Sequence, residues 1–192
     1  MALCVFCGSS SGSSPVYAEA AAAFGRALAR SGIDLVYGGG HVGLMGIVAD
    51  AVLQAGGRVT GVIPAELVAR ELAHDGLTEL HVVDTMHERK AMMAELSDGF
   101  VALPGGAGTL EELFEQWTWA QLGIHAKPCG VLNVGGYFDP LRTMVDRMVG
   151  HGFLASEYAA MLMFDDDANS LLERIRNFSA PPREWTATRP KP

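Results

Sequence analysis

A doubly wound α/β domain, Rossmann-like with a mostly parallel sheet and helices on both faces, is the fold class this sequence predicts. Three observations carry the prediction. Short β-rich apolar runs recur along the chain, helical patterns lie between them, and the runs are continuously apolar rather than alternating. Strands of a parallel sheet covered on both faces read in that way, because neither face meets water.

The first run, Leu3–Phe6, leads into Cys7-Gly8 and opens the sheet. Residues 15–30 begin with Pro15 and are rich in alanine, which suits a helix with proline in its first turn. Ile33–Tyr37 is the second strand, and a helix beginning near Gly43 follows its glycine-rich end. Val59–Ile63 and Leu80–Val83 come next, and Met86–Lys90 opens a helix after the latter. Phe100–Leu103 precedes a helix over 108–122, where Leu110, Leu113, Phe114 and Trp117 fall at i, i+3, i+4 and i+7. Gly130–Val134 and Met161–Phe164 complete the set. From residue 180 the chain is proline-rich and lacks apolar periodicity. Residues 1–179 are therefore expected to form one domain, and 180–192 a mobile tail.

At 192 residues the chain is long enough to bury one core. A net charge of -8 argues against a nucleic-acid partner, which a basic face would attract. No apolar run reaches the ~18 residues a membrane span needs. The N-terminus lacks the basic start of a signal peptide, so a cytoplasmic protein is expected. Cys4 and Cys7 have CxxC spacing, but on a strand they point to opposite faces, and no second ligand pair exists. With Cys129 they read as buried structural thiols. The six histidines (His41, His74, His81, His87, His125, His151) show no metal-ligand spacing, and no metal is expected.

Glycine is the compositional departure, 23 of 192 residues against the ~7% of average proteins. There is no collagen period, so the glycines belong to defined turns, and ligands of doubly wound sheets bind at the turns that follow strands. Three such turns stand out. Gly8-Ser9-Ser10-Ser11-Gly12 matches the GxSxG of a hydrolase nucleophile elbow, but too little chain precedes it to supply the upstream sheet and oxyanion loop. A loop that offers Gly8 and Ser9 to a polar ligand is the stronger reading, and a solvated turn is the alternative. Gly38–Gly43 satisfies GxGxxG but lacks the acid roughly 20 residues on that a dinucleotide site wants. Close approach of some ligand to Gly39 and Gly40 is expected instead.

The third turn is Pro104-Gly105-Gly106-Ala107-Gly108-Thr109-Leu110-Glu111-Glu112. Small residues admit a ligand against the backbone, and the helix start beyond them presents N–H groups suited to a phosphate. Thr109 either caps the helix or binds the phosphate. Glu112 either completes a capping box with Thr109 or acts on the ligand. The Lys-Ser/Thr ending of a Walker A loop is absent. Upstream, Met86-His87-Glu88-Arg89-Lys90 places two adjacent cations after a strand end, either an anion site or a solvated helix end.

Taken together, PGGAGTLEE (104–112), MHERK (86–90), CGSSSG (7–12) and VYGGGHVGLMG (36–46) resemble the Lonely Guy (LOG) family of cytokinin-activating phosphoribohydrolases. Every fixed position of the family's PGGxGTxxE signature is satisfied, and the likeness covers residues 2 to 175. The resemblance implies hydrolysis of the N-glycosidic bond of cytokinin riboside 5′-monophosphates or AMP, giving a free adenine-type base and ribose 5-phosphate. By matching position it implies Arg89 and Glu112 as the catalytic pair. It further implies Glu71, Arg89, Lys90, Gly106, Ala107, Gly108, Thr109, Leu110, Glu111, Glu112 and Thr118 as nucleotide-binding residues, with Met86 a further contact. It implies a homodimer with the site near the subunit interface, and no cofactor. One local departure is Met92-Met93, where family members often carry an acid before the second methionine.

The residues suit that chemistry. Glycosidic cleavage passes through an oxocarbenium-like transition state, and Glu112 can stabilise it or activate the water that intercepts it. Arg89 can hold the phosphate or ribose and shield developing charge. A non-catalytic nucleotide or cofactor carrier on the same fold is the alternative, although it would need the glycine loops without both Arg89 and Glu112. Proteins of this kind have also been labelled lysine decarboxylases, but Lys90, Lys127 and Lys191 are the chain's lysines and none has a recognisable Schiff-base setting.

Overall fold

Continuous apolar strands stay out of water only if helices cover them twice, and the computed structural model, which describes residues 1–69 and 72–181, shows that arrangement for the central strands, while Leu80 and Val82 of the edge strand 79–83 are exposed. In chain order the elements are β1 (Ala2–Phe6), α1 (Pro15–Arg30), β2 (Asp34–Tyr37), α2 (Gly43–Gln54), β3 (Val59–Pro64), α3 (Ala65–Val68), β4 (Glu79–Val83) and α4 (Met86–Glu95). They continue as β5 (Gly99–Ala102), α5 (Ala107–Gln121), β6 (Cys129–Leu132), α6 (Asp139–Gly150), α7 (Ser156–Ala159), β7 (Leu162–Asp165) and α8 (Ala168–Arg176). Every expected strand is present, its ends shifted by no more than two residues. Beyond Pro181 the expected tail lies outside the described residues.

Among the described residues the strands form one seven-stranded sheet in the order β4-β3-β2-β1-β5-β6-β7, with every pair parallel. β1 is the hinge of this topology. The chain builds outward from it to β4, then returns to lay β5 on its other side. The loops that leave β1 and β5 therefore run to opposite faces, and a crevice opens between them at the carboxyl ends of the strands.

The side chains of β1 show how both faces are filled. Leu3, Val5 and Cys7 join a core with Phe24 and Leu28 of α1, Leu44, Val48 and Val52 of α2, and Leu171 and Ile175 of α8. Cys4 and Phe6 join a second core with Met93 of α4, Leu113 and Trp117 of α5 and Val145 of α6. The CxxC spacing is thus split across the sheet. All three cysteines are free and buried, and burial pushes their thiols up, to about 12 for Cys129. Neutral thiols serve neither metal binding nor redox exchange.

Candidate active site

The orientation of α4 is set at its first turn. Thr85 is the N-cap: its hydroxyl accepts from the Glu88 N–H at 3.1 Å, and the Glu88 carboxylate accepts from the N–H groups of Asp84 and Thr85 at 2.9 and 3.2 Å. Such a capping box contributes about 1 kcal/mol. It spends Glu88 on the helix end and leaves the next residue, Arg89, directed inward.

Arg89 is held by the ends of two strands. Its Nε donates to the Val62 carbonyl of β3 at 3.1 Å, and its Nη2 to the Gly38 carbonyl just after β2 at 3.3 Å. Nη1 lies 3.8 Å from Sδ of Met86 and 3.8 Å from Oε1 of Glu112. A Cβ at position 38 would lie 1.8 Å from Nη2, so glycine there is what makes room for the guanidinium. Neither solvated-helix-end nor free-cation behaviour fits a side chain that is only 10% exposed.

Glu112 faces Arg89 from α5, its side chain 14% exposed. Burial pushes its carboxyl up; Arg89 and Lys90 pull it down, and Glu111 and Glu115 push it up again. Burial wins, and the carboxyl sits at about 7 instead of its ordinary 4.5. α5 itself begins at Ala107 with Gly106 as its N-cap, and no side chain caps it. Thr109 is therefore a buried residue of the first turn, and the capping box with Glu112 is not formed. Among the described residues no side chain competes for the first N–H groups of this helix, which stand at the cavity.

That cavity, of about 360 Å³, lies at the carboxyl ends of the central strands. Arg89 and Glu112 line it, as do Gly106, Ala107, Gly108 and Thr109 of the α5 start, Gly8 and Ser9 of the first loop, and Gly38 and Gly40 of the second. Its apolar lining comes from Val42, Met45, Ile63, Leu67 and Leu72. A smaller cavity of about 280 Å³ adjoins across Gly8, Ser9 and Gly106, with Tyr17 and Tyr137 in its wall. The Tyr137 hydroxyl donates to the Gly105 carbonyl at 2.6 Å and ties the glycine turn from behind.

The three glycine loops are bonded to one another. The Gly8 N–H donates to the Pro104 carbonyl, and the Leu44 N–H to the Gly8 carbonyl, both at 3.0 Å. Gly43 adopts φ +57°, and a Cβ there would stand 2.3–2.4 Å from the Ser9–Ser10 peptide, so both its conformation and its surroundings require glycine. The His41 N–H donates to the Leu72 carbonyl and the His74 N–H to the Gly39 carbonyl, fixing the second loop from its other side.

Other residues named from the sequence stand apart from the cavity. Lys90 is turned between α4 and α5, where its Nζ meets Glu111 at 2.5 Å and Glu115 at 2.9 Å. Gly39 backs onto Ile63 and Leu80. Leu110 packs against the second core, Thr118 is exposed on α5, and Met86 reaches the site only through Arg89. Glu71 lies outside the described residues. Sequence reasoning missed Cys7, Val42 and Met45 as cavity residues, although they sit inside the glycine motifs. Leu67 and Leu72 carry no sequence signal at all: Leu67 sits in α3, four residues and too short to show a period, and Leu72 stands outside any helix or strand.

The sequence matches the family model described as "Possible lysine decarboxylase" over residues 45–175. It is 50% identical over 176 residues to a cytokinin riboside 5'-monophosphate phosphoribohydrolase of Arabidopsis thaliana, covering 92% of this chain and 81% of that one. It is 48% identical over 176 residues to another from Oryza sativa subsp. japonica, covering 92% and 73%. Among solved structures, the molybdenum cofactor carrier protein of Chlamydomonas reinhardtii is similar with a TM-score of 0.69 at 18% identity, covering 92% of this chain and 96% of that one. The molybdenum cofactor binding protein of Rippkaea orientalis gives 0.68 at 20% identity, covering 92% and 95%. Those two likenesses are of fold. Among the described residues a lysine Schiff base has no support in the site: Lys90 is held by two glutamates, the Lys127 ammonium donates to the Ala94 carbonyl at 2.6 Å, and neither lines the cavity, while Lys191 lies outside the described residues.

Proposed function

Because the chain belongs to the family of the cytokinin riboside 5'-monophosphate phosphoribohydrolases, the LOG family, we propose that it hydrolyses the N-glycosidic bond of AMP and of N6-isoprenylated AMP. The observation that carries this reading is the buried Arg89–Glu112 pair, set in one cavity with the uncapped start of α5. The 5′-phosphate takes the N–H groups of Gly106–Thr109, where the positive end of the helix favours an anion. The apolar lining of Val42, Met45, Ile63, Leu67 and Leu72 suits a purine or its N6 substituent.

In the reaction the C1′–N9 bond breaks and its electron pair leaves with the base. Water adds through oxygen to C1′ and gives one proton to the Glu112 carboxylate; the departing base takes a proton from solvent, and Glu112 returns its own to solvent, so that one water is consumed and the carboxylate is restored. Glu112 also stabilises the oxocarbenium-like charge at C1′. Both tasks need the ionised carboxylate, so kcat/KM is expected to rise with pH through a midpoint near 7. A cofactor carrier has no use for a carboxyl poised in this way.

Incubating the protein with AMP and with isopentenyl-AMP, then separating products by chromatography, is expected to show free base and ribose 5-phosphate in equal amounts. Binding of both nucleotides without base release would replace the hydrolase with a carrier. A homodimer belongs to the same reading. Met86 on α4, Leu96 just after it, and Leu122 and Ile124 after α5 are exposed apolar residues at the helix pair that carries the site. Sedimentation equilibrium at micromolar concentration is expected to give twice the chain mass, and a monomer there would count against the dimer. A cytoplasmic location also belongs to this reading: the three thiols are free, as a reducing compartment leaves them. Among the described residues no helix is long and apolar enough to cross a membrane.

A further inference from the structure

Arg89 and Lys90 are consecutive on α4, and each meets a carboxylate of α5. Arg89 faces Glu112, while Lys90 is gripped by Glu111 and Glu115, one helical turn apart. The two grips differ in setting. Glu111 is 56% exposed, and water screens it. Glu115 is 22% exposed, its Oε1 stands 2.9 Å from the Lys90 ammonium, and its Oε2 is buried with no hydrogen-bond partner among the described residues. A carboxylate with one buried and unpaired oxygen acts on its neighbours with little screening. Lys90 itself is only 11% exposed.

We propose that Lys90 and Glu115 are positioning residues: a charged brace between α4 and α5 that holds Glu112 opposite Arg89 and sets the charge balance in which Glu112 works. This rests on Glu112 being the catalytic carboxylate. Among the described residues, the charged and titratable groups that face Glu112 are Arg89 and Lys90 from α4, Glu111 and Glu115 from α5, Cys4 of β1 and Cys7 just after it. The two thiols stay neutral throughout the working range, because burial holds them protonated. Two cations and two carboxylates therefore act on Glu112, and removing one member of the brace tips that balance in a direction fixed by its sign. Without Glu115 the Lys90 charge is less compensated and favours ionised Glu112. Without Lys90 the paired glutamates oppose ionisation.

The test is the pH dependence of kcat/KM with AMP for the wild type, Glu115→Gln and Lys90→Met. It is accompanied by carbon-13 titration of the Glu112 carboxyl in glutamate-labelled protein, with Glu112→Gln supplying the assignment. Glu115→Gln is expected to lower the midpoint and Lys90→Met to raise it, each by roughly 0.5–1 pH unit. Glu115→Asp, which keeps the charge, is expected to hold the wild-type midpoint. Two unmoved midpoints, or two that move the same way, would overturn the brace. The carboxyl titration decides for any variant too slow to assay, and if one variant fails to fold, the direction of the other decides alone. Wild-type activity in Glu112→Gln would instead remove the reading underneath. An essential Glu112 that titrates identically in every variant removes only the brace.

Discussion

Glu112→Gln is expected to abolish base release, with kcat falling on the order of 10³-fold, while making the protein more stable at neutral pH. Gln preserves the shape of the side chain but can neither take a proton from water nor carry negative charge opposite C1′. The stability gain follows from the same burial that tunes the group. A carboxyl that titrates at about 7 when folded and at 4.5 when unfolded binds more protons folded than unfolded between those values. Stability from this group is fully present below 4.5 and is lost as pH rises to 7, a cost on the order of 3 kcal/mol once the group is ionised. Urea unfolding across pH 5–8 is expected to show wild-type stability falling relative to Glu112→Gln over this window. Parallel curves would mean that the carboxyl titrates near its ordinary value, and retained activity would remove Glu112 from catalysis.

Arg89→Met is expected to be the most damaging single change. Activity falls by about 10²–10³-fold because the charge that faces the reacting ribose and holds Glu112 is gone. Stability falls as well, by roughly 3–5 kcal/mol at pH 8, the size expected when one member of a buried ion pair is removed. Two strand-end carbonyls, Val62 and Gly38, lose their donor, and Glu112 is left buried without its cation. At lower pH Glu112 escapes the second penalty by taking a proton, so the loss is expected to be smaller at pH 5.5 than at pH 8. Combining Arg89→Met with Glu112→Gln is expected to recover part of the stability at pH 8, since the unpaired charge is no longer there. Equal losses at both pH values, with no recovery in the double variant, would show that the two groups are energetically independent.

Much of this architecture was legible in the sequence, for identifiable reasons. The strands announced themselves because a parallel sheet covered on both faces needs uninterrupted apolar runs, as Phe100–Ala102 and Leu3–Phe6 show. The part of the cavity wall formed by the α5 start was legible because Gly106, Ala107 and Gly108 stand in a row of small residues after a strand. What was hidden depended on helix phase. That Arg89 turns into the cavity while Lys90 turns between two helices follows from the Thr85–Glu88 box one turn earlier, where the motif shows only two adjacent cations. The start of α5 was hidden as well. Gly106 offers no side chain to mark a cap, so Thr109 invited a boundary that the backbone places at Ala107. The apolar wall from Leu67 and Leu72 was beyond reach, because a four-residue helix is too short to show a period and Leu72 stands outside any helix or strand.

The bonds that link the three glycine loops bear on how the nucleotide is captured. Pro104 is joined to Gly8, Gly8 to Leu44, and the Gly39–His41 turn to Leu72 and His74. The sheet's hydrogen-bonding is in effect carried one step past the strand ends. Flexible glycine loops would ordinarily charge the ligand for their immobilisation, roughly 1–2 kcal/mol for each residue ordered. Here that entropy is lost once, when the chain folds, and not again when each substrate arrives. The cleft is preorganised: the interaction energy of the phosphate is left for distorting and cleaving the glycosidic bond rather than for shaping its own binding site.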